Sequence, residues 1–256
     1  MCCRLLAQVA VRRTVVSGTR IDALIGMLRK TLFACGVLSS LLYAAMNVVV
    51  ASQWPGYSSF SQTVSELSAI DAPTRPLWVS LGFVYGTLLF AFGWGVWRSA
   101  APRRPLRIAG ALLMGYALFG FFWPPMHLRP VLAAGGATLT DTLHIVWTAV
   151  SAVVLVVAMS CAAAAFSTRF RVYSIASIVL MLLFGCVTGT YVAAMQANLP
   201  TPGLGVWERV LIGFQMLWIA VLATMLLRTQ AADAAAHDRE AGLKAGRPRG
   251  PAFVPR

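Results

Sequence analysis

The sequence predicts an all-α, polytopic membrane protein with six transmembrane helices and both termini in the cytoplasm. Three observations carry that prediction. Six apolar runs each approach the roughly 20 residues an α-helix needs to cross the hydrocarbon core of a bilayer. The composition is 59% hydrophobic and 11% charged, whereas a soluble domain carries roughly 25% charged residues. Lysine and arginine are confined almost wholly to alternate connections. The runs are continuous in polarity, not alternating, which excludes a β-barrel as the way of satisfying the backbone in lipid.

Residues 1–30 form a basic N-terminal segment with Arg4, Arg12, Arg13, Arg20, Arg29 and Lys30. They lack the clean apolar stretch and small-residue site of a cleavable signal. Cys2 and Cys3 beside these charges read either as acylation sites or as cytosolic free thiols. The first span is Thr31–Ala51. The second, Leu77–Val96, carries Gly82-x-x-x-Gly86, and the fifth, Ser174–Met195, carries Gly185-x-x-x-Gly189. Small pairs at this spacing let helix backbones approach closely in lipid, so both pairs are expected at contacts inside the bundle, with pairing of two copies of the chain as the alternative. Gly93, Gly95, Gly110, Gly115 and Gly120 extend the same expectation. The third, fourth and sixth spans are Leu106–Met126, Thr140–Ala164 and Val206–Leu227. Together residues 31–228 make one transmembrane domain. Residues 229–256 are rich in Ala, Gly, Pro and Arg and are expected to form a disordered basic tail that includes His237.

Eighteen of the 21 basic residues fall on the side of the termini; only Arg75, Arg129 and Arg209 fall on the other. The positive-inside rule places both termini in the cytoplasm, in a bacterial inner membrane, and six spans make the count consistent. The net charge of +13 is thereby explained by topology and by anionic inner-leaflet lipid, not by nucleic acid. Trp54, Trp78, Trp123 and Trp207 lie at expected outer ends and Trp94 and Trp97 at an inner one, the interfacial preference of amphipathic rings. Cys35, Cys161 and Cys186 lie within the bilayer and no cysteine lies in an outer loop, so no disulfide framework is expected.

Polar residues with chemistry gather on the outer side: Glu66, Asp71, Asp141, Glu208, His127 and His144. In the loop Ser58–Pro76, a helical spacing puts Ser61, Ser65 and Ser68 on one face and Phe60, Val64 and Leu67 on another. Such a segment either lies across the bundle mouth with Ser65 and Glu66 dipping inward, or rests as a solvated interfacial helix. Asp141 and His144 stand at i and i+3 on one helix face. Asp141 suits a helix N-terminus; His144 sits a turn deeper, where an ionisable side chain is costly and turns to the bundle interior. Pro124 and Pro125 stop the third span and aim His127 over the outer rim. Glu208 suits the N-terminal dipole of the sixth span.

The segments Gly56–Trp78 (with Ser65-Glu66-Leu67-Ser68), Trp123–His127 and Thr140–His144 resemble an uncharacterised bacterial family of six-span membrane proteins, domain of unknown function 998. The resemblance covers most of residues 32–227. It implies the six-span architecture and no activity.

Two function classes follow. The first is a binding, transport or membrane-organising protein whose outer polar pocket, with Glu66, Arg75, His127, Asp141, His144 and Glu208 as binding candidates, takes a lipid or small solute. No phosphate-cradling loop, nucleophile elbow or strong metal signature occurs. The alternative is an intramembrane hydrolase acting on an outer-leaflet lipid, with Ser65, Glu66, Asp141 and His144 as catalytic candidates. In a metal-dependent form His127, Asp141 and His144, with Glu66, hold zinc and leave a position for water. That picture resembles the ceramidase-like membrane hydrolases, built around Ser, Asp and several His, although this chain has two histidines in the bundle. In a metal-free form Ser65 is the nucleophile and His144 its base. Haem between two spans is disfavoured because His127 adjoins a proline-broken helix end. Glu66, Asp141 and His144 are expected to share one buried network.

Overall fold

The computed structural model describes residues 2–99 and 103–245, with side chains described within 24–99 and 103–236 and at residue 239; Cys2 and Cys3, read as acylation sites or free thiols, lie outside the described side chains. Helices α1 (Cys2–Ser52), α2 (Arg75–Ser99), α3 (Arg104–Phe121), α5 (Leu139–Ala165), α6 (Thr168–Gly189) and α8 (Leu204–Ala245) are the long elements, and α4 (Arg129–Ala133) and α7 (Val192–Gln196) are single turns. A 3-10 turn spans Ser65–Ser68. No strand occurs among the described residues.

Among the described residues five helices are long and apolar enough to cross a membrane: Leu24–Ser52, Arg75–Ser99, Leu139–Ala165, Thr168–Gly189 and Leu204–Ala236. Helix α3 has 18 residues and opens with Arg104 and Arg107 in its first turns. It stops at Phe121, five residues short of the expected Met126, because Pro124 and Pro125 withhold two backbone donors and force their predecessors out of helical geometry. Sequence hydropathy over-extended this run, since Phe122–Met126 is apolar but not helical. At the other end of the chain, α8 continues helical through Ala245, where a disordered tail from residue 229 was expected. Alanine-rich Ala231–Ala236 has high helix propensity and simply prolongs a helix already nucleated in the bundle.

The six long helices close a ring in which α1 packs on α2, α2 on α3, α3 on α5, α5 on α6, α6 on α8 and α8 on α1, while helices across the ring scarcely meet. Close packing is concentrated toward the end where α1 begins and α8 leaves. Phe33, Phe92, Leu113, Leu155, Met159, Trp218 and Leu222 are all essentially inaccessible there. Backbones touch at Gly93 and Gly110: a Cβ on Gly110 would lie 2.5 Å from the Trp97 amide nitrogen, and one on Gly93 would lie 2.9 Å from that of Met114. Gly36 and Gly95 serve the same purpose where α1 crosses α8 and α2. The expected pairs behave differently. Gly86 abuts Phe121, but Gly82, Gly115, Gly120, Gly185 and Gly189 have open space where a side chain would go. Spacing alone identifies small residues and not the direction they face.

At the opposite end the packing thins to small clusters around Met46, Val50 and Leu67 and around Ala69, Ala72 and Met126. No residue of α2 from Arg75 to Tyr85, of α5 from Ile145 to Val150, of α6 from Leu182 to Gly189 or of α8 from Val206 to Gln215 is fully buried. Here the connections 53–74, 122–138 and 190–203 fold over the ring as a cap.

Candidate functional site

The cap is built from three polar groups. The first centres on Glu66, which is 1% exposed, and Arg129, which is 8% exposed. The Arg129 Nε donates to Glu66 Oε1 and its Nη2 to Oε2, each at 2.8 Å. This forked, charge-assisted pair is the strong form of an ion pair. Every other valence is also used. Thr63 donates to Oε2 from its backbone at 2.7 Å and its hydroxyl at 2.9 Å. Arg129 Nη1 donates to the Thr201 hydroxyl at 2.7 Å, and both Nη2 and that hydroxyl donate to the Ser61 carbonyl. One ion pair thus ties the first loop, the start of α4 and the approach to α8.

The second group holds the first loop against α8. Arg209 Nη1 donates to the carbonyls of Ser59, Gln62 and Gly205, and its Nη2 to the Tyr57 hydroxyl at 2.6 Å. Burial pushes the Tyr57 phenol up to about 12, with the Arg209 guanidinium pulling the other way. Glu208 accepts the Val64 amide hydrogen. Gly205 has to be glycine, because a Cβ there would lie 2.3 Å from the Gln62 carbonyl oxygen. Arg75 donates to the Ser68 carbonyl and Thr74 to that of Leu67, closing the far side of the same loop.

The third group begins at the start of α5. Thr138 is the N-cap and shares a capping box with Asp141, which satisfies backbone donors that a helix start leaves free. The remaining Asp141 lone pairs take the His127 amide at 2.7 Å and its Nδ1 at 2.9 Å. One turn on, His144 is 7% exposed. Its Nδ1 lies 2.7 Å from the Pro124 carbonyl oxygen and its Nε2 lies 3.2 Å from the Ser65 hydroxyl. The Trp123 ring stands edge-on to the imidazole, 5.7 Å between centroids.

The expected single network of Glu66, Asp141 and His144 is therefore three separate ones. Glu66 pairs with Arg129, Asp141 with His127, and His144 with Ser65. They are joined through the backbone, as where the Ile70 amide donates to the Met126 carbonyl at 2.7 Å. Among the described residues no three His, Cys, Asp or Glu side chains come together as a metal site; His127 and Asp141 meet each other while His144 turns to Ser65. The first loop does lie across the bundle mouth, with Val64, Glu66 and Leu67 buried, as a 3-10 turn in place of a full helix. Sequence reasoning missed Arg129 as a site residue. Its one signal was an arginine beside a proline on the side of the chain where basic residues are scarce.

The family model described as "Protein of unknown function (DUF998)" matches residues 37–225. The chain belongs to the DUF998 family. The match runs from the middle of α1 to the middle of α8, so it takes in the whole cap and the ring of this DUF998 chain. No curated protein and no solved structure matches it.

Proposed function

We propose that this DUF998 protein spans the bacterial cytoplasmic membrane six times, with its termini inside and its cap outside, and binds a membrane amphiphile beneath the cap. Helix α3 is the sixth span: 18 residues cover about 27 Å, close to the roughly 30 Å hydrocarbon core, and Arg104 and Arg107 reach back to the inner interface. The concentration of 18 of the 21 basic residues in the terminal segments and alternate connections sets the orientation.

The observation that carries the binding reading is the contrast between the two halves of the ring. One half has a continuous buried core, and in the other no residue along segments of four helices is fully buried, with only a small second core at Met46, Val50 and Leu67. Tyr43, Tyr85 and Tyr116, from three successive helices, are half-buried against the edge of the main core, with the Tyr43 and Tyr85 rings 4.9 Å apart. Nearby on α1 the Asn47 amide oxygen is buried with no hydrogen-bond partner, and a buried acceptor left unpaired is costly. Apolar surroundings, a few phenols and one unused acceptor suit a lipid-like solute with a polar end. Glu66 pairs with Arg129 and Asp141 with His127, while Arg75 and Arg209 hold backbone carbonyls, so these charges act as the frame of the cap.

The test is mass spectrometry of small molecules retained by detergent-purified protein, with thermal unfolding after delipidation and after adding back each inner-membrane lipid class. A stoichiometric amphiphile is expected, along with a stability gain on returning it. Asn47→Leu should diminish retention while Val48→Leu, at an exposed neighbour, leaves it unchanged. Protein that emerges without any amphiphile and gains no stability from any lipid would overturn the proposal.

A further inference from the structure

We infer that Ser65 and His144 form a nucleophile–base pair for acyl transfer from an ester-linked amphiphile, an activity that rests on the binding reading above. Three features separate this pair from an incidental hydrogen bond.

The first is the proton arrangement. A carbonyl oxygen can only accept, so the 2.7 Å approach of Pro124 places the hydrogen on Nδ1 of His144. The Trp123 indole N–H also points at Nδ1, at 3.2 Å; since Nδ1 cannot both donate to Pro124 and accept from Trp123, the shorter carbonyl contact decides the tautomer. Nε2 is left as the acceptor facing the Ser65 hydroxyl at 3.2 Å. That is the tautomer a general base requires, with a backbone carbonyl in the orienting role that a carboxylate plays elsewhere.

The second feature is the direction of the serine. The hydroxyls of Ser39, Ser52, Ser68, Ser80, Ser160 and Ser177 all donate to a carbonyl three or four residues back in their own chain. Ser65 instead faces an imidazole 79 residues away. It is also half-exposed while its partner is buried, as a nucleophile that must meet a substrate should be.

The third is rigidity. Val64 is held by Glu208, and Glu66 by Arg129 and Thr63, so the residues on both sides of Ser65 are fixed by buried contacts. The elaborate frame of the cap then has a use: it holds one hydroxyl against one ring. The ester linkages of glycerolipids lie at the boundary between headgroups and hydrocarbon, the level at which the cap meets the ring.

In the first step Ser65 Oγ bonds to the acyl carbon as its proton passes to His144 Nε2. The bond from acyl carbon to alkoxy oxygen breaks, and the departing alcohol takes the proton from Nε2. Water then attacks the acyl-serine, again giving its proton to Nε2. The acyl–Oγ bond breaks, Ser65 recovers the proton and a carboxylic acid leaves. If an alcohol takes the place of water, the same sequence transfers the acyl group.

The experiment uses the full chain purified in detergent and a long-chain alkyl fluorophosphonate, which phosphonylates an activated serine with loss of fluoride. Labelling is mapped by peptide mass spectrometry, and retained amphiphile and thermal unfolding are measured on the same samples. The wild type should be labelled at Ser65. Ser65→Ala should abolish the label, folded His144→Gln should lower its rate at least tenfold, and Ser68→Ala should match the wild type. Folded protein that retains an amphiphile but is not labelled at Ser65 overturns this inference and leaves the binding reading standing. Equal labelling in folded His144→Gln also overturns it. Should His144→Gln not fold, Ser65→Ala, at a half-exposed position, still decides whether Ser65 is the labelled residue. Label at Ser65 in protein that never retains an amphiphile supports the pair and overturns the binding reading.

Discussion

Glu66 and Arg129 illustrate how strongly single side chains determine this cap. Removing one member of a buried, forked ion pair leaves the other charged and unpaired, at a cost of about 3–5 kcal/mol. Arg129→Ala and Glu66→Ala should each lower thermal stability by that order in detergent. The double variant Glu66→Leu/Arg129→Met should recover much of the loss, because it leaves no orphan charge. An additive loss in the double variant would show that the pair does not matter as a pair. Tyr57 gives a second check. The folded protein keeps this phenolic proton up to about 12 and the unfolded chain loses it near 10. The unfolded state therefore binds fewer protons over that interval, and stability falls as pH rises from 10 toward 12. Tyr57→Phe should be less stable overall but lose part of that alkaline slope, read from unfolding midpoints between pH 9 and 12. At this scale the sequence was partly legible. Glu66, Asp141 and His144 stood out because ionisable groups at a membrane boundary are costly. Ser65 and His127 were named beside them, but Arg129 was not, because its pairing with Glu66 across 63 residues leaves no periodic trace. Arg129 resembled one more interfacial cation.

The elements were more legible than their ends and faces. Hydropathy located every long helix because a bilayer demands about 20 apolar residues whatever else the sequence encodes. It misjudged the end of α3, where Pro124 and Pro125 override an apolar run, and the continuation of α8, where alanine sustains a helix outside the apolar segment. Glycine spacing was ambiguous in the same way. Gly93 and Gly110 make the α2–α3 contact, whereas Gly185 and Gly189 turn outward. Gly110→Ala should force the Trp97 backbone away and destabilise by about 1–3 kcal/mol. Gly185→Ala, which meets nothing, should be neutral or gain up to about 1 kcal/mol from helix propensity. Thermal unfolding of the two variants side by side checks the ranking, and a neutral Gly110→Ala would contradict the close approach.

For the whole molecule, the ring has a filled end and a capped end, and the charge asymmetry is the basis on which we propose that the filled end faces the cytoplasm. A cysteine-free chain carrying Ser59→Cys should react with a membrane-impermeant maleimide on intact cells, while Arg98→Cys should react only after permeabilisation. The reverse pattern would invert the proposed orientation. The cap also has a consequence for biogenesis. Arg209 grips carbonyls of a loop 147 residues earlier in the chain, and Gly205 nests against the same loop. At about 5–20 residues per second, the first loop waits about 7–30 s during synthesis before its clamp exists. Until then Glu66 and Arg129 lack the floor formed by Thr201, and the outer mouth stands open. Completion of the last helix thus latches the molecule shut, so a chain interrupted before α8 would present a disordered exterior loop that quality-control proteases can recognise.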